Sequence, residues 1–244
     1  VQQAYELEPD LHHIFSRAVL IEDSLSVRDP RQLCQQYARL FGDAGGEVVQ
    51  SELKSLRQAG SGWDIETADG VEAADEVVIC LGAWTPRFIA SLGYRNPLAI
   101  ERGYHMMVAP REGARLSRPI FDVDASYVIA PMESGLRVST GTNLVYRDTA
   151  PDPRQLERVL PLAGEAFPIE RRLLPEAWMG RRPTVPDTLP IIGAAPRHDH
   201  LWLAFGHSHM GLTMGPVTGE LIAGAISGEP PPAAAAACAP SRYL

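Results

Sequence analysis

The sequence predicts an α/β part combined with a second part that is richer in β-strands, and three observations lead to this. Residues 77–81 form an unbroken apolar run that ends in Gly82, which is typical of a strand buried on both faces of a parallel sheet. Residues 201–205 form a second such run, followed by a glycine-rich turn and a helix that begins at about Gly215. Between residues 98 and 183, short segments of alternating polarity are separated by turn residues, as in antiparallel sheets.

Capping residues and apolar spacing predict three further helices. Each begins at an Asp-Pro or Thr-Pro pair, because proline suits the first turn of a helix, and Asp29 and Asp152 can also cap the helices that follow them. In the first of them, apolar residues recur at helical spacing, so one face should be buried. The three run from Asp29-Pro30 to Gly42, from Thr85-Pro86 to Gly93, and from Asp152-Pro153 to about Phe167.

Alternating polarity and turn dipeptides predict the strands. Residues 47–49 should form a short strand, and residues 53–57 and 63–67 should pair with each other. Asp69-Gly70 is a turn dipeptide of the kind that joins hairpin strands. In the β-rich part the expected strands are 104–108, 127–130 and 136–140, with turn residues at 133–135.

Composition excludes several classes of function. The 244 residues have a formal net charge of −8 and scattered Lys and Arg residues, so the basic surface of a nucleic-acid-binding protein is missing. Three widely spaced cysteines without a C-x-x-C motif predict reduced thiols and a cytoplasmic protein. Two His-x-His pairs, 198–200 and 207–209, lack acidic or cysteine partners at metal spacing, so no metal site is expected. No apolar run reaches the roughly 20 residues of a membrane-spanning helix.

A long segment near the C-terminus resembles a family signature. It begins at Trp178-Met179-Gly180-Arg181-Arg182-Pro183 and continues through Pro190-Ile191-Ile192-Gly193, residues 201–205, Gly206-His207 and Gly211-Leu212-Thr213. In order and spacing these motifs are similar to those of the FAD-dependent D-amino-acid oxidase and dehydrogenase superfamily. That superfamily, the DAO family, includes glycine oxidase and enzymes like D-amino-acid dehydrogenase. The resemblance extends over most of the chain, from Leu7 to Tyr243.

The resemblance implies a specific architecture. It is a partial FAD-binding domain of the glutathione-reductase-like α/β class, with an α+β substrate domain built on a mixed sheet. Residues 1–97 would be mostly a remnant of the FAD-binding domain, 98–185 the substrate-binding domain, and 186–228 the C-terminal part of the FAD-binding domain. Residues 229–244 are rich in Pro and Ala, which indicates a flexible tail. However, Pro240-Ser241-Arg242-Tyr243 resembles a family ending and leaves docking of the terminus open.

Three residues are candidates for the substrate site. Arg182 can offer a planar guanidinium to a substrate carboxylate, and the family's G-x-R-P motif implies this role. Arg181, beside it, occupies a position where an apolar residue is usual. Tyr127 begins a segment similar to the strand whose aromatic hydroxyl faces the substrate, and a core tyrosine is the alternative. His105 lies where the family lines its pocket, and a structural histidine is the alternative.

The cofactor implied by the resemblance is FAD, and two turns would hold its ring system. Gly82-Ala83-Trp84 resembles one side of that cradle, where a missing side chain lets the backbone approach a planar ligand. Gly206-His207 and Gly211-Leu212-Thr213 resemble the other side, which leads into a helix whose positive end stabilises negative charge. Val49 matches a strand whose backbone touches the adenine end.

The implied reaction is the oxidation of a D-amino acid or a related secondary amine by hydride transfer to the flavin. Such a site needs positioning more than a strong base, which agrees with the scarcity of catalytic acids in this sequence. Oxygen or a quinone would accept the electrons, so both an oxidase and a dehydrogenase are left open. Whether the protein forms an oligomer is left open as well.

One family feature is missing from the sequence. No G-x-G-x-x-G motif follows an apolar strand, although this turn normally binds the pyrophosphate of the cofactor. Because the chain also begins with Val1 rather than Met, we expect it to be part of a longer protein. The alternative to an enzyme is a non-catalytic truncated chain or interaction subunit that cannot bind FAD by itself.

Overall fold

The chain folds into two units. The computed structural model describes residues 1–95, 97–146 and 148–244. Unit 1 comprises Val1–Gly46, Arg102–Asn143 and Asp148–Gly180, and unit 2 comprises Glu47–Glu101, Leu144–Arg147 and Arg181–Leu244. Two of these boundaries lie near residues 98 and 185, where the sequence suggested domain limits, whereas residues 1–46 group with unit 1.

The described residues form mixed α and β structure, as the sequence predicts. The helices are α1 (Gln2–Leu7), α2 (Pro30–Asp43), α3 (Thr85–Ser91), α4 (Arg154–Ala166) and α5 (Gly211–Ile226). The strands are β1 (Leu53–Ala59), β2 (Gly62–Thr67), β3 (Val71–Ala74), β4 (Val77–Ile79), β5 (Ala99–Pro110), β6 (Ile120–Asp122), β7 (Tyr127–Met132), β8 (Gly135–Leu144), β9 (Ile169–Arg172), β10 (Trp178–Thr184), β11 (Ile191–Ala194) and β12 (Leu201–Phe205). Short 3₁₀ turns cover Gly82–Trp84, Ala233–Cys238 and Pro240–Arg242.

Unit 1 contains most of a six-stranded sheet, in the order β10-β5-β8-β7-β6 with β9 paired to β5. Alternate side chains are buried over the first residues of β7 and β8, as for Ile129 and Val138, which are paired across the two strands. Helix α4 packs against β7 and contributes Leu156 and Ala163 to the same core. These two residues therefore lie on the face of α4 that is turned towards the core of unit 1.

A buried carboxylate joins two segments of unit 1. Glu8 follows α1 and is almost fully buried. Its carboxylate accepts hydrogen bonds from the backbone N–H of Ser117 at 2.9 Å and from the Ser117 hydroxyl, and the Nε of Arg118 lies 3.3 Å away. Because several donors satisfy the charge, its burial is tolerated, and the group is explained as structural.

Unit 2 contains two three-stranded sheets. The first is antiparallel, in the order β1-β2-β3, and β1 pairs with β2 as the sequence predicts. The second has the order β11-β12-β4, with β11 antiparallel and β4 parallel to the central strand β12. Their side chains share one core, which includes Trp63, Ile79, Leu203 and Phe205.

The predicted cap of α2 is confirmed, whereas the N-cap residues of α3 and α4 make no side-chain cap hydrogen bond. The carboxylate of Asp29 accepts a 2.9 Å hydrogen bond from the backbone N–H of Gln32 at the start of α2. Gly93 ends the segment after α3 with a positive φ of 80° and donates its N–H to the carbonyl of Ala90. Both signals are local, which is why the sequence alone reveals them.

The prediction that α2 buries one face is wrong for the described structure. Tyr37, Leu40 and Phe41 lie on one side of this helix as expected, but all three are exposed, and α2 contains no buried residue. Helical spacing determines which side chains share a face. It does not determine whether another element covers that face.

The short strand predicted at residues 47–49 is not formed. Residues 46–52 have no regular secondary structure, and Val48 and Val49 are 70% and 68% exposed. A strand exists only through hydrogen bonds to a neighbour, and no described strand pairs with these residues. The β-forming composition of residues 47–49 was therefore not enough to predict a strand.

Strand β4 is parallel to a neighbour, as predicted, but it is not buried on both faces. Val77 and Ile79 are buried, whereas Val78 and Cys80 are exposed. Among the described residues β4 pairs only with β12, which makes it an edge strand. An unbroken apolar run cannot distinguish a strand covered on both faces from one covered on a single face.

Two C-terminal predictions also need correction. Helix α5 begins at Gly211 rather than near Gly215, because Met214 N–H already donates to Met210 C=O at 2.8 Å. The terminal residues are not a free tail. Arg242 forms an ion pair with Asp187 at 2.7 Å and donates to the carbonyl of Leu189 at 2.8 Å. The terminus docks, which is the alternative that its sequence left open.

Candidate functional site

The Arg182 segment is held in place by the loop that follows β12. Arg182 lies near the end of β10, and the carbonyl of the next residue, Pro183, accepts a 3.0 Å hydrogen bond from Ser208 N–H. Thr184 forms an antiparallel bridge with His207. The backbone that directly follows Arg182 is therefore restrained, which helps to position its side chain.

The Arg182 guanidinium is half-buried and incompletely hydrogen-bonded. Its Nη1 atom is buried and has no hydrogen-bond partner among the described residues. Burial lowers the pKa of this group, and the negative charge of Glu101 opposes the shift. Buried guanidinium N–H groups usually find acceptors, so an atom of this kind is suited to receive an anionic ligand.

Other polar atoms of unit 2 share this property. The Glu101 Oε2 atom is buried without a hydrogen bond from the described part of the chain, and the nearest basic group, His209 Nε2, lies 3.8 Å away. The hydroxyl groups of Thr184 and Ser208 are also buried without partners in that part of the chain. Each such group costs about 1–3 kcal/mol unless a ligand or water satisfies it. The three oxygen atoms and Arg182 Nη1 are therefore candidates for contact with a ligand.

The turn at Gly82 provides the open surface that a planar ligand needs. Its φ of +53° is in the left-handed region, which glycine adopts without strain. A Cβ atom built on Gly82 would have only Pro183 Cγ near it, at 4.0 Å. Ala83 is buried behind the turn, whereas Trp84 is half-exposed. The proline that follows Arg182 thus lies beside the predicted flavin turn.

The turn at Gly206 and His207 is more crowded. Gly206 has a φ of +83°, and a Cβ there would lie 3.3 Å from Val185 Cγ1. His207 Nε2 is 3.0 Å from the hydroxyl of Thr218, on α5, and burial lowers the pKa of this histidine. A Cβ on Gly211 would lie 3.7 Å from the His207 Cβ, which is ordinary van der Waals contact.

The remaining predicted cofactor residues are exposed. Leu212 and Thr213 lie on the first turn of α5, and both have solvent-accessible side chains. Val49 lies in the irregular segment before β1. Their roles at the cofactor stay predictions, because no contact described here connects Leu212, Thr213 or Val49 with the Gly82 turn.

His105 is stacked on an aromatic ring in unit 1. Its imidazole lies 4.7 Å from the Trp178 ring, at an interplanar angle of 25°. Burial, and then the positive charge of Arg137, lower the pKa of His105 to about 4. The ring is therefore neutral near pH 7 and can accept or donate a hydrogen bond.

Tyr127 is a core residue of unit 1. Its side chain is 1% exposed, and its hydroxyl donates a 3.4 Å hydrogen bond to the carbonyl of Leu162 in α4. Burial and the negative charge of Asp122 raise the pKa of this phenol. The placement of Tyr127 gives its predicted role at the substrate no support.

Sequence reasoning missed two groups of the candidate site. Glu101 and Thr184 were not selected, although Glu101 directly precedes the Arg102-Gly103 pair and Thr184 directly follows Arg182-Pro183. A charged residue at the start of an apolar strand was the signal available for Glu101. Nothing local marked its carboxylate as buried and lacking a hydrogen bond.

The described residues were predicted to hold neither a metal site nor a membrane-spanning helix, and the structure has the following features. Where the chain is described, no three His, Cys, Asp or Glu residues are grouped as a metal ion would require. None of the described helices has both the length and the apolar character needed to cross a bilayer. Cys34 and Cys80 are exposed and Cys238 is partly buried, and all three are free thiols.

Comparisons with known proteins identify the family of this chain. The family model described as FAD dependent oxidoreductase matches residues 1–225. A D-amino-acid oxidase from Bradyrhizobium diazoefficiens is 33% identical over 243 residues, which cover 97% of this chain and 57% of the oxidase. The chain therefore spans little more than half the length of that relative.

Solved structures show the same fold. A glycine oxidase from Geobacillus kaustophilus has a TM-score of 0.77 and 26% identity, with 87% of this chain and 58% of that chain covered. An L-proline dehydrogenase from P. horikoshii has a TM-score of 0.79 over 99% of this chain and 67% of its own, and at 19% identity it supports the fold alone. With a family match over more than nine-tenths of its residues, the chain belongs to the DAO family of FAD-dependent oxidoreductases.

Proposed function

We propose that this chain carries the flavin-ring and substrate-carboxylate portions of an oxidoreductase that acts on a D-amino acid or a related secondary amine. The observation that carries the proposal is the half-buried Arg182, whose Nη1 lacks a hydrogen bond and whose neighbour Pro183 lies beside the open turn at Gly82. The names of its relatives, a D-amino-acid oxidase and a glycine oxidase, support the same class of substrate.

The residues of unit 2 fit FAD. Gly82 and Ala83 would accept one face of a flat ring, because nothing fills the space above the Gly82 Cα. Gly206, His207 and the start of α5 at Gly211 would border the other side, where the helix N-terminus favours negative charge. FAD, when bound, supplies the acceptor for the hydride removed from the substrate carbon.

Arg182 would bind and orient the substrate. Its fork of N–H donors matches a carboxylate in two hydrogen bonds, which fixes both position and rotation. Burial strengthens this pairing because fewer waters compete for the charge. The restraint of the neighbouring backbone by Ser208 and His207 keeps the guanidinium in one place, so the substrate carbon is held in one orientation.

We also propose which parts of the chain bind FAD and which bind the substrate. Residues 1–97 and 186–228 would serve mainly FAD binding and residues 98–185 substrate binding, with His105 as a neutral pocket residue. Tyr127 would act through packing. The proposal also includes an electron acceptor, which is either oxygen or a quinone.

A second candidate is an interaction subunit that does not bind FAD alone. It is favoured by the absence of a G-x-G-x-x-G turn in the 244 residues, since that turn normally holds the pyrophosphate. The exposed apolar side of α2 and the edge strand β4 also agree with a partner surface.

Titration with FAD separates the two candidates. Purified chain is added to FAD while flavin fluorescence is followed, and a D-amino acid is then added anaerobically while the visible absorbance is recorded. Saturable quenching at micromolar FAD with substrate-dependent bleaching would support the enzyme. The absence of any quenching would exclude a self-sufficient flavoenzyme and favour the interaction subunit.

A further inference from the structure

Glu101 is the negative counterpart of Arg182 in the candidate site. It lies near the start of β5, and Arg182 lies near the end of β10, which is hydrogen-bonded to β5 as its neighbour in the sheet. Both residues belong to unit 2. The Glu101 side chain is only 18% exposed, so its charge is poorly solvated.

The two charges do not form a closed pair. Arg182 Nη1 and Glu101 Oε2 are each buried without a hydrogen bond in the described structure, although the carboxylate is close enough to influence the guanidinium electrostatically. His209 approaches Glu101 only to 3.8 Å, which is beyond hydrogen-bond distance. A structural salt bridge would satisfy these atoms with each other. Here one donor and one acceptor of opposite charge both remain available.

We propose that Glu101 is a specificity-determining residue that binds the cationic nitrogen of the substrate while Arg182 binds its carboxylate. The inference rests on the proposed function. It narrows the substrate class to zwitterions, in which a carboxylate and a protonated amine are close together. A ligand that carries only one of the two charges would leave the other buried charge of the site without a partner.

The proposal explains why a poorly hydrogen-bonded carboxylate is retained here. Removing a carboxylate from water without compensating donors is unfavourable, so such a group persists where a ligand supplies the donors. The ammonium group of an amino acid supplies N–H donors and a positive charge. The hydroxyls of Thr184 and Ser208, buried without partners in the described structure, are further polar groups of the same unit.

Three ring compounds of equal size test the proposal on the full chain in the presence of FAD. D-proline carries both charges, cyclopentanecarboxylate only the negative one, and pyrrolidine only the positive one. Dissociation constants are measured near neutral pH by NMR titration for the unsubstituted chain, Glu101→Gln and Arg182→Met. We expect Glu101→Gln to raise the dissociation constants of D-proline and pyrrolidine by at least about fivefold. The dissociation constant of cyclopentanecarboxylate should stay unchanged.

Controls separate the possible outcomes. Glu101→Asp should keep part of the amine binding. Glu66→Gln removes an equal charge from an exposed position on β2 and should leave the binding of all three ligands unchanged. Circular dichroism verifies that each variant is folded. If Glu101→Gln weakens all three ligands equally, or none, the proposal is overturned. If Arg182→Met leaves cyclopentanecarboxylate unaffected, or the unsubstituted chain binds none of the three, the proposed function fails, and the inference fails with it.

Discussion

The backbone N–H of Ser208 donates a 3.0 Å hydrogen bond to the carbonyl of Pro183, the residue directly after Arg182. This bond connects the loop after β12 with the end of β10, two segments separated by more than 20 residues of sequence. It brings the Arg182 motif beside the His207 turn, and Pro183 in turn lies against Gly82. One proline is therefore shared by the arginine and by both turns predicted to hold the flavin ring.

Arg182→Met should raise the Michaelis constant for D-amino acids by at least about tenfold in the FAD-loaded protein, because a charge-assisted pair in a half-buried site is lost. Arg181→Met is the matched control, since neighbouring side chains on a strand point to opposite faces. It should change the constant much less. Equal effects of the two substitutions would refute the assignment of Arg182.

Gly82→Ala should reduce FAD affinity more than it reduces stability. A methyl group would occupy the open space above the turn, and the positive φ adds a strain of about 1–2 kcal/mol. Gly60→Ala controls for strain alone, because Gly60 has a φ of +60°, open surroundings and a position in the β1–β2 turn. Both variants should lower the unfolding midpoint similarly, and only Gly82→Ala should weaken FAD binding in a fluorescence titration. Full FAD affinity in Gly82→Ala would mean that this residue is an ordinary turn glycine.

His105 should make the protein sensitive to acid. Its pKa is lowered to about 4 in the folded chain, whereas an unfolded histidine titrates near 6.5. Between these values the unfolded state binds more protons, so stability falls as the pH drops from about 6.5 to about 4. In His105→Gln, the loss of stability over this range should be smaller, as measured by denaturant unfolding at several pH values. An NMR titration that gives His105 a pKa near 6.5 would contradict the prediction.

Arg242→Ala should destabilise the chain by about 1–2 kcal/mol. The side chain pairs with Asp187 at 2.7 Å, donates to the carbonyl of Leu189, and holds the terminal residues whose Tyr243 packs on the unit 2 core. Arg57→Ala is the control, because its pair with Asp64 is largely exposed and should contribute less than about 0.5 kcal/mol. Unfolding midpoints compare the two. The prediction fails if Arg242→Ala is no more destabilising than Arg57→Ala.

Local signals in the sequence were enough to predict several helix and strand positions, the family and one candidate site residue. The Asp29 cap, the Gly93 stop and the alternation along β7 and β8 each depend on residues within a few positions, so they could be predicted without a structure. The ordered motifs from Gly180 to Thr213 likewise indicated the family, which the match over residues 1–225 confirms. Arg182 was selected in the same way, from the proline and glycine around it.

Only the tertiary structure decided what covers each face and which distant atoms meet. Spacing placed Tyr37 and Phe41 on one side of α2 but could not reveal that this side is exposed, and apolar composition at Val48 could not supply a partner strand. Glu101 and Arg182 are about 80 residues apart in sequence, and their buried atoms without hydrogen bonds become visible only when β5 and β10 pair. Burial and hydrogen bonding are properties of the whole fold, because they depend on neighbours that are remote in the chain.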